Sequence, residues 1–352
     1  MLLATEPLVK NVWYMGAWSH EVQDKPLARR ILGRPVVFFR GADGVVGALE
    51  DRCCHRAAPL SLGRVEGNSL QCGYHGLCFN AQGACVRVPG QDLIPPAARV
   101  PSFQVVEQDA VVWIWMGDAD QADPSTIPRF PRHTEPAWRW RGSHFSYKAD
   151  HLLLYDNLLD LTHVGYVHPH TIGGNEDEHS SAPLTVERGD RGAKGTRWMR
   201  DVDPPAAYTA VWPFRGRIDR CQVMRFQPGL VTISILAKDA GTLRHEEDAE
   251  NAYESYGFHA VTPESEGSAH YFWSVGIPAA LDEKDSGLLA RKHEIARITF
   301  EEDRAVLEAQ YHRMLEFPDR PVIAIRSDAL SMAARRIWTD LAKAEKTFAQ
   351  QE

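Results

Sequence analysis

The chain has 352 residues, 44% of them hydrophobic, and a formal charge of −8 at pH 7. This length is sufficient for two domains, and the negative charge argues against nucleic acid or an anionic membrane surface as the main partner. No apolar run approaches the roughly 20 residues of a membrane-spanning helix, and the N-terminal sequence lacks the features of a signal peptide, so we expect a cytoplasmic protein.

The first third of the chain is predicted to form β-strands between residues 10 and 116. The runs PVVFF, GVVGALE and AVVWIWMG are rich in β-branched and aromatic residues and are separated by Gly, Asp and Pro. The segment that follows Trp115 contains four prolines and few apolar residues, as expected for a linker. We therefore predict an N-terminal domain over residues 1–120 and a C-terminal domain over 121–352, which begins with a linker at 121–138.

The C-terminal domain is predicted to combine helices with strands. The segment HLLLYDNLLDLTHVGYVH, from His151, is typical of a helix, whereas VTISILAK from Val231 and AHYFWSVG from Ala269 are typical of strands. Residues 286–317 lack proline, and their apolar side chains recur at helical spacing. We predict one long helix here, ended by Pro318.

Two short motifs in the N-terminal domain each pair a cysteine with a histidine. Cys53 and His55 stand in DRCCHRAAPLSLG, and Cys72 and His75 stand in LQCGYHG. Each motif lies in a loop between predicted strands, so the two loops could hold one inorganic centre. A zinc ribbon usually takes two cysteines or two histidines from one motif. A cysteine and a histidine on each loop is typical of a Rieske [2Fe–2S] cluster, in which cysteines bind one iron and histidines the other.

Two other interpretations of these motifs remain open. The cysteines could be core residues with incidental histidines beside them, or the four side chains could bind a structural zinc ion. Cys54 lies between two predicted ligands, and we expect its side chain to point away from the cluster. Cys78 and Cys85 are expected to be packing residues.

A second metal site is predicted in the C-terminal domain, which a lone electron carrier would not need. On the helix predicted from His151, Asp160 and His163 share one face, and His168 reaches the same point only if the helix ends or bulges near Gly165. Two histidines and one carboxylate form the facial triad of non-haem Fe(II) oxygenases, which leaves coordination positions for O2.

The carboxylate of this triad need not be close in sequence. The segment FEEDR on the predicted long helix offers Glu301, Glu302 and Asp303, and His170 is a rival histidine ligand. The alternative is that His163 is a core residue and His168 a surface residue, without a metal.

These motifs together resemble the Rieske non-haem iron oxygenases. The resemblance covers nearly the whole chain, from NVWYMGAW through DRCCHRAAPLSLG, CGYHG and VWIWMGD to DNLLDLTHVGYVH, TPESEGSAHYFW and FEEDR. Its branch includes vanillate O-demethylase, dicamba monooxygenase and toluenesulfonate methyl-monooxygenase. It implies an α+β chain, with an N-terminal all-β Rieske [2Fe–2S] domain followed by a catalytic domain of helix-grip (START-like) fold, in which an antiparallel sheet grips a long helix.

The resemblance also assigns the metal ligands and two catalytic residues. The cluster ligands would be Cys53, His55, Cys72 and His75, and the mononuclear Fe(II) ligands would be His163, His168 and Asp303. It places Asn157 near the iron and, in a head-to-tail homotrimer, makes Asp160 accept hydrogen bonds from His163 and from His75 of an adjacent subunit.

The substrate residues are predicted less directly. The resemblance to dicamba monooxygenase places His259, in FHAVTP, at the substrate; a buried structural histidine is the alternative. Ser234 stands in the region of that enzyme's pocket asparagine, so we predict Ser234 as a second substrate residue and expect a different substrate. Arg225 and the arginines of FRGRIDR, residues 214–220, could contact an acidic substrate group, although surface ion pairs are the simpler role for most of them.

The resemblance implies the terminal oxygenase component of a monooxygenase. It would use O2 and outside electrons to hydroxylate a methyl or methoxy group of a small aromatic acid. We find no convincing G-x-G-x-x-G between a strand and a helix, so we expect a separate NAD(P)H-dependent reductase that contains flavin and an iron–sulfur centre. Alternatives are an aromatic ring-hydroxylating dioxygenase with the same ligands, a pure electron carrier, and a helix-grip ligand-binding protein without chemistry.

Overall fold

The computed structural model describes residues 8–172 and 175–348. The outermost residues of the two predicted domains, 1–7 and 349–352, lie outside this part of the chain. Among the described helices, none is both long enough and apolar enough to cross a membrane.

The described residues divide into two compact units. The first comprises residues 8–129 together with 262–266, and the second comprises 130–261 together with the residues from 267 onward. The division at residue 130 falls inside the predicted linker at 121–138. The domain bounds predicted from the sequence, 1–120 and 121–352, remain a prediction.

The first unit is all-β, which confirms the predicted class of the N-terminal domain. Its strands are β1 (Trp13–Trp18), β2 (Leu27–Ile31), β3 (Arg34–Arg40), β4 (Val46–Glu50), β5 (Arg64–Glu66), β6 (Ser69–Gln71), β7 (Cys78–Asn80), β8 (Cys85–Arg87), β9 (Ser102–Gln108) and β10 (Val111–Trp115). Six of them form a sheet in the order β1-β10-β9-β4-β3-β2, and β5 to β8 pair in chain order in a second sheet.

The core of this unit holds two of the predicted cluster ligands. Phe39 of β3 and Phe79 of β7 belong to the same apolar cluster, so side chains from both sheets share one core. Cys53 and Cys72 are members of this cluster and are each 2% exposed. Packing from two sheets therefore fixes the positions of both cysteines.

The second unit contains a seven-stranded sheet with helices, as predicted. Its strands are β11 (Trp138–Tyr147), β12 (Leu184–Arg188), β13 (Ala193–Val202), β14 (Ile218–Gln227), β15 (Leu230–Asp239), β16 (Tyr253–Ser265) and β17 (Ser268–Pro278). Their order in the sheet is β11-β17-β16-β15-β14-β13-β12. The helices are α1 (His151–Leu159), α2 (Val164–Val167), α3 (Glu176–Ser181), α4 (Ala206–Thr209), α5 (Ala279–Lys284), α6 (Leu288–Glu316) and α7 (Ala329–Phe348).

The predicted long helix is confirmed as α6, which packs against β11 and β17. From His293 onward its buried residues recur every three or four positions, as a helix with one covered face requires. This stripe includes Ala296, Thr299, Asp303, Leu307 and Tyr311. A carboxylate on an otherwise covered face needs polar partners or a cation, so the position of Asp303 already indicates a site.

The helix predicted over residues 151–168 is wrong in its middle. Helix α1 ends at Leu159, and Asp160 takes an extended conformation with φ −119° and ψ 100°. The Asp160 side chain accepts a hydrogen bond from the main-chain N–H of Thr162 and so caps a short 3-10 turn, Leu161–His163. Aspartate competes well for such capping positions, which explains the break. Asp160 and His163 therefore do not share a helical face.

Candidate metal centres

The two Cys–His loops of the first unit have the same main-chain hydrogen bonds. The N–H of Cys53 donates to the carbonyl of Ala58 at 2.8 Å, and the N–H of Cys72 donates to the carbonyl of Leu77 at 2.8 Å. In each loop the residue four positions after the cysteine donates back to the cysteine carbonyl at 3.0 Å. That residue is left-handed in both loops, Ala57 with φ 57° and Gly76 with φ 74°. The two loops therefore present their cysteines in matching geometry.

The four side chains form a buried cysteine pair and an exposed histidine pair. The rings of His55 and His75 lie with centroids 4.5 Å apart, at 67° to each other, and both residues are exposed. Burial is the main cause that raises the pKa of Cys53 to about 11, and the neighbouring Cys72 thiol adds to the rise. A metal must therefore displace the thiol proton to bind there.

The spacing of these donors distinguishes between one metal ion and two. Among the described residues, the ligand atoms of these four side chains do not all lie within 4.8 Å of one another. A single tetrahedral zinc ion needs all of its donors together. Separate cysteine and histidine pairs fit the two irons of a Rieske cluster.

The other cysteines of this unit are placed differently. Cys54 is exposed, whereas Cys78 and Cys85 are buried. The Sγ of Cys78 donates to the carbonyl of Gly76 at 3.5 Å, and the Sγ of Cys85 donates to the carbonyl of Arg87 at 3.4 Å. The latter two thiols are therefore engaged with the main chain.

The second unit brings His163, His168 and Asp303 together. Each offers one ligand atom, and these atoms lie within 4.8 Å of one another. Nε2 of His168 is 3.1 Å and Nε2 of His163 is 3.4 Å from Oδ1 of Asp303. The histidines come from the 3-10 turn and the end of α2, and the carboxylate comes from the buried stripe of α6.

The ring orientation of both histidines is fixed by hydrogen bonds at Nδ1. Nδ1 of His163 lies 2.7 Å from the main-chain carbonyl of Asp160, which can only accept, so this nitrogen carries the proton. Nδ1 of His168 donates to Oε2 of Glu302 at 2.8 Å. In both rings Nε2 is therefore the nitrogen that faces Asp303. Without a metal it donates a hydrogen bond to that carboxylate, and a bound metal ion would replace this proton.

The carboxylate of the site is ionised. Burial raises the pKa of Asp303, but hydrogen bonds from His163 and His168 outweigh burial, so that its pKa lies well below the usual range. The amide Nδ2 of Asn157 donates to Oδ1 of Asp303 at 2.9 Å and lies 3.4 Å from Nε2 of His163. Two imidazole nitrogens and an anionic oxygen on one side of a point fit an octahedral ion such as Fe(II) with open positions.

The rival ligands are elsewhere. His170 is exposed in a turn after α2. Glu301 pairs with Arg297 at 3.0 Å on the outer side of α6. Glu302 supports His168 rather than facing the site, a role that no local pattern in the sequence indicates because it depends on where His168 lies. Thr171 also donates to Oε2 of Glu302, at 3.1 Å.

Replacing Glu302 by Gln should weaken metal binding at this site by about tenfold to a hundredfold, as for other groups that orient a ligand histidine. The neutral amide is a poorer acceptor for the Nδ1–H of His168 than a carboxylate. The affinity for Fe(II) should be measured by anaerobic titration. Glu301→Gln is the matched control, and an equal loss in both variants would contradict the role of Glu302.

The Asp160 side chain does not make the contact with His163 that the sequence predicts. The sequence predicts that its carboxylate accepts a hydrogen bond from His163, but the main-chain carbonyl of Asp160 makes that contact. The carboxylate instead accepts from the N–H and the hydroxyl of Thr162, both at 3.0 Å, and lies 3.7 Å from the buried Arg197. It thus fixes the turn that carries His163.

A cavity of about 350 Å³ opens beside the triad. Its walls are mainly Leu, Ile, Val, Ala and Tyr side chains, and His163, His168, Asp303 and Asn157 form part of them. His259, predicted from the sequence to contact the substrate, lines this cavity. The prediction for Ser234 is wrong: Ile233 and Ile235 face the cavity, and side chains alternate along β15, so Ser234 faces away.

His259 is a neutral group in this cavity. Burial lowers its pKa to about 3. Its Nδ1 shares a hydrogen bond of 2.7 Å with the hydroxyl of Tyr271. Its Nε2 lies over Gly257, where a Cβ would overlap it. The ring is therefore held in one orientation, with a polar edge beside a largely apolar space.

Comparison with known proteins assigns both units to families. Residues 12–112 match the Rieske [2Fe–2S] domain, and residues 147–344 match the vanillate O-demethylase oxygenase C-terminal domain. The chain is 39% identical to a putative toluene-4-sulfonate monooxygenase system iron–sulfur subunit of Comamonas testosteroni, over 96% of this chain and 98% of the relative.

Two further relatives cover the chain to a similar extent. A vanillate O-demethylase oxygenase subunit of Pseudomonas sp. (strain HR199 / DSM 7063) is 35% identical, over 97% of this chain and 96% of the relative. The crystal structure of dicamba monooxygenase with non-haem iron and dicamba superimposes with a TM-score of 0.79, at 31% identity, over 98% of this chain and 99% of that one.

Proposed function

The chain belongs to the Rieske non-haem iron oxygenases, and from this premise we propose that it is the terminal oxygenase component of an aromatic monooxygenase. The proposed reaction is hydroxylation of a methyl or methoxy group on a substituted aromatic acid. The observation that carries the proposal is the triad of His163, His168 and Asp303, whose ligand atoms converge within 4.8 Å at the wall of an apolar cavity.

The chain has two iron cofactors, a Rieske [2Fe–2S] cluster and a mononuclear iron. In our proposal, Cys53 and Cys72 bind one iron of the cluster, and His55 and His75 bind the other. The triad binds the mononuclear iron. When bound, the cluster supplies single electrons and the mononuclear iron supplies the position at which O2 is activated.

The protein's own groups then determine geometry and solvent access. Glu302 and the Asp160 carbonyl hold the two imidazoles so that each Nε2 faces one point. The apolar walls exclude water from the reacting groups. His259, being neutral, offers a hydrogen bond to a polar substituent of the substrate without burying a charge.

The nature of the oxidised group decides the product. A hydroxylated methoxy carbon is a hemiacetal, which breaks down to a phenol and formaldehyde. A hydroxylated methyl carbon is a stable alcohol. Both groups are small and apolar, so both fit beside the apolar walls of the cavity.

The partners follow from the reaction. Electrons come from a separate reductase, which we propose to be NAD(P)H-dependent, with flavin and an iron–sulfur centre. We further propose a head-to-tail homotrimer in the cytoplasm, in which His75 of one subunit approaches Asp160 of the next. The exposure of the His55 and His75 rings supports this, since an outward pair is accessible to a neighbour.

Reconstitution tests the proposed function. The purified chain, loaded with iron, should be combined with NADH, O2 and a reductase of this kind and offered methoxybenzoates, toluenesulfonates and toluates. Formaldehyde or a hydroxymethyl product is expected, in step with O2 consumption. Formation of a ring dihydrodiol would show a ring-hydroxylating dioxygenase instead. Absence of any product across the panel would refute the proposal.

Asp160→Asn should lower turnover by about a hundredfold, the upper range for a group that supports a metal ligand. In our proposal its carboxylate accepts a hydrogen bond from His75 of an adjacent subunit, and the side chain is partly exposed, at 17%. An amide makes this hydrogen bond weaker. The variant should keep both metals and its cluster should be reduced at the normal rate, but substrate and O2 should no longer reoxidise it quickly in single-turnover mixing.

Thr162→Val is the matched control for this variant. It removes the hydroxyl that donates to the Asp160 carboxylate at 3.0 Å and leaves the charge in place. If the hydrogen bond with the Thr162 hydroxyl were the whole role of the Asp160 carboxylate, the two variants would slow reoxidation equally. A wild-type rate of reoxidation in Asp160→Asn would exclude the proposed contact with His75.

A further inference from the structure

The arginines that could contact an acidic substrate group differ sharply in position. Three of the four are at the surface and have acidic partners: Arg215 pairs with Asp239, Arg217 with Asp201 and Asp203, and Arg225 with Glu246. Arg220 is different, because it is only 3% exposed and lines the cavity.

In the described part of the chain, no carboxylate is in contact with Arg220, and Glu178 interacts with it only beyond ion-pair distance. One terminal nitrogen donates to Nε2 of His179 at 3.4 Å, and the guanidinium lies over the Tyr208 ring, 4.9 Å from its centroid. Within residues 8–172 and 175–348, no carboxylate oxygen lies within 4.0 Å of it, and its Nε makes no hydrogen bond. Burial, then the charges of Arg220 and Arg197, lowers the pKa of His179 to about 3, so this neighbour is neutral.

A buried guanidinium without a counter-charge is unfavourable in a protein interior. Because arginine does not lose its proton there, the imbalance is not relieved by a change of protonation. Where such a group lines a cavity, an anionic ligand is the missing partner. Gln222, two residues further along β14 and so on the same face, also lines the cavity and has a buried Oε1 without a hydrogen bond among the described residues.

Lys292 of α6 adds a second positive group to the cavity wall. Its Nζ donates to Oγ of Ser255 at 2.8 Å and to the carbonyl of Gly276 at 3.0 Å. It has no carboxylate within ion-pair distance in the described part of the chain. Burial lowers the pKa of Lys292 to about 8, so its amino group is still mostly protonated at pH 7.

We propose that Arg220 binds the acid group of the substrate within the cavity, in a positive potential reinforced by Lys292. This inference rests on the proposed function, because it assigns a place to the acid group of that substrate. The bound species is a carboxylate or a sulfonate, both of which accept paired hydrogen bonds from a guanidinium.

Calorimetric binding to the iron-loaded full chain, under anaerobic conditions, tests the inference. The ligands are 4-methoxybenzoate, 4-toluenesulfonate and the neutral 4-methoxybenzamide. Arg220→Gln should weaken binding of the two acids by about thirtyfold or more, the lower range for loss of one partner of a buried charge pair. It should change binding of the amide by less than about threefold, and Lys292→Met should weaken the acids to a smaller extent.

Arg225→Gln is the matched control, because Arg225 lies on the same strand but at the surface. It should leave all three affinities unchanged. Arg220→Lys keeps the charge and should retain part of the preference for acids, which keeps the test open if Arg220→Gln does not fold. Equal losses for acid and amide in Arg220→Gln, or equal affinities of the wild type for acid and amide, would overturn the inference.

Calorimetry needs neither reductase nor turnover. The hypothesis of an anion site at Arg220 and the proposed function can therefore be refuted independently. Arg220-dependent binding of acids without any oxidised product would refute the proposed function and leave the anion site standing. Oxidation of the acids with an unchanged KM in Arg220→Gln would refute the anion site and leave the proposed function standing.

Discussion

Asp303→Asn should abolish turnover and mononuclear iron binding while the [2Fe–2S] cluster stays intact. The ionised carboxylate is the only anionic donor of the triad, and an amide oxygen is a much weaker ligand for Fe(II). Groups that merely orient a ligand are worth tenfold to a hundredfold in affinity, so a loss of more than about a hundredfold is expected. Iron content, the electron paramagnetic resonance spectrum of the reduced cluster and product formation should be measured on the same preparation.

Glu301→Gln is the matched control for this variant. It removes a carboxylate from the same helix that pairs only with arginines on the outer side. Normal iron content and turnover are expected there. Asn157 can still donate to the amide oxygen of the Asp303→Asn variant, so the local packing should survive. Full activity of Asp303→Asn would show that the triad is not the site of the reaction.

Cys72→Ala should abolish the Rieske spectrum and remove most of the cluster iron. The Sγ of Cys72 is buried in the apolar core, and no other cysteine in the described residues presents the same loop geometry except Cys53. Turnover should fall to background, because no electron then reaches the second unit. The hydrogen bonds of the loop use the main chain of Cys72, so the fold of the loop should persist.

Cys78→Ala is the matched control, since Cys78 is equally buried in the same unit but its thiol contacts the Gly76 carbonyl. It should keep the spectrum. Metal analysis of the anaerobically purified wild type provides an independent check. Zinc in place of iron in the first unit would contradict the cluster assignment.

The elements that could be predicted from the sequence are those that depend on local pattern. Strands β3, β4 and β10 follow runs of β-branched and aromatic residues, and α6 follows apolar side chains at helical spacing without proline. The residues around Asp160 could not be predicted in this way. The apolar pattern continues through them, but capping by the Asp160 side chain outweighs it and ends α1.

The site residues can be separated in the same way, into those with a local sequence pattern and those without one. Cys53, His55, Cys72 and His75 are recognisable because each loop carries its own pair. Contacts between distant segments have no local signature. Glu302 meets His168 across 134 residues of chain. The contrast between Arg220 and its surface neighbours depends on how the sheet is covered.

Ser234 shows how a small error in register matters. The sequence locates the correct strand, but side chains alternate between the faces of a sheet, so a shift of one residue exchanges cavity and exterior. The strand was therefore predicted correctly and the face was not. Ile233 and Ile235 occupy the positions that face the cavity.

The triad joins parts of the chain that are far apart in sequence, and this has a consequence for folding. His168 and Asp303 are separated by 135 residues, yet a bound ion would tie them at one point. Because such a site is rarely preformed in an unfolded chain, the free energy of binding the ion adds to the stability of the folded state. Metal supply during synthesis would then influence the yield of native protein as well as its activity, and chelation would expose α6 and the turn at His163 to proteolysis together.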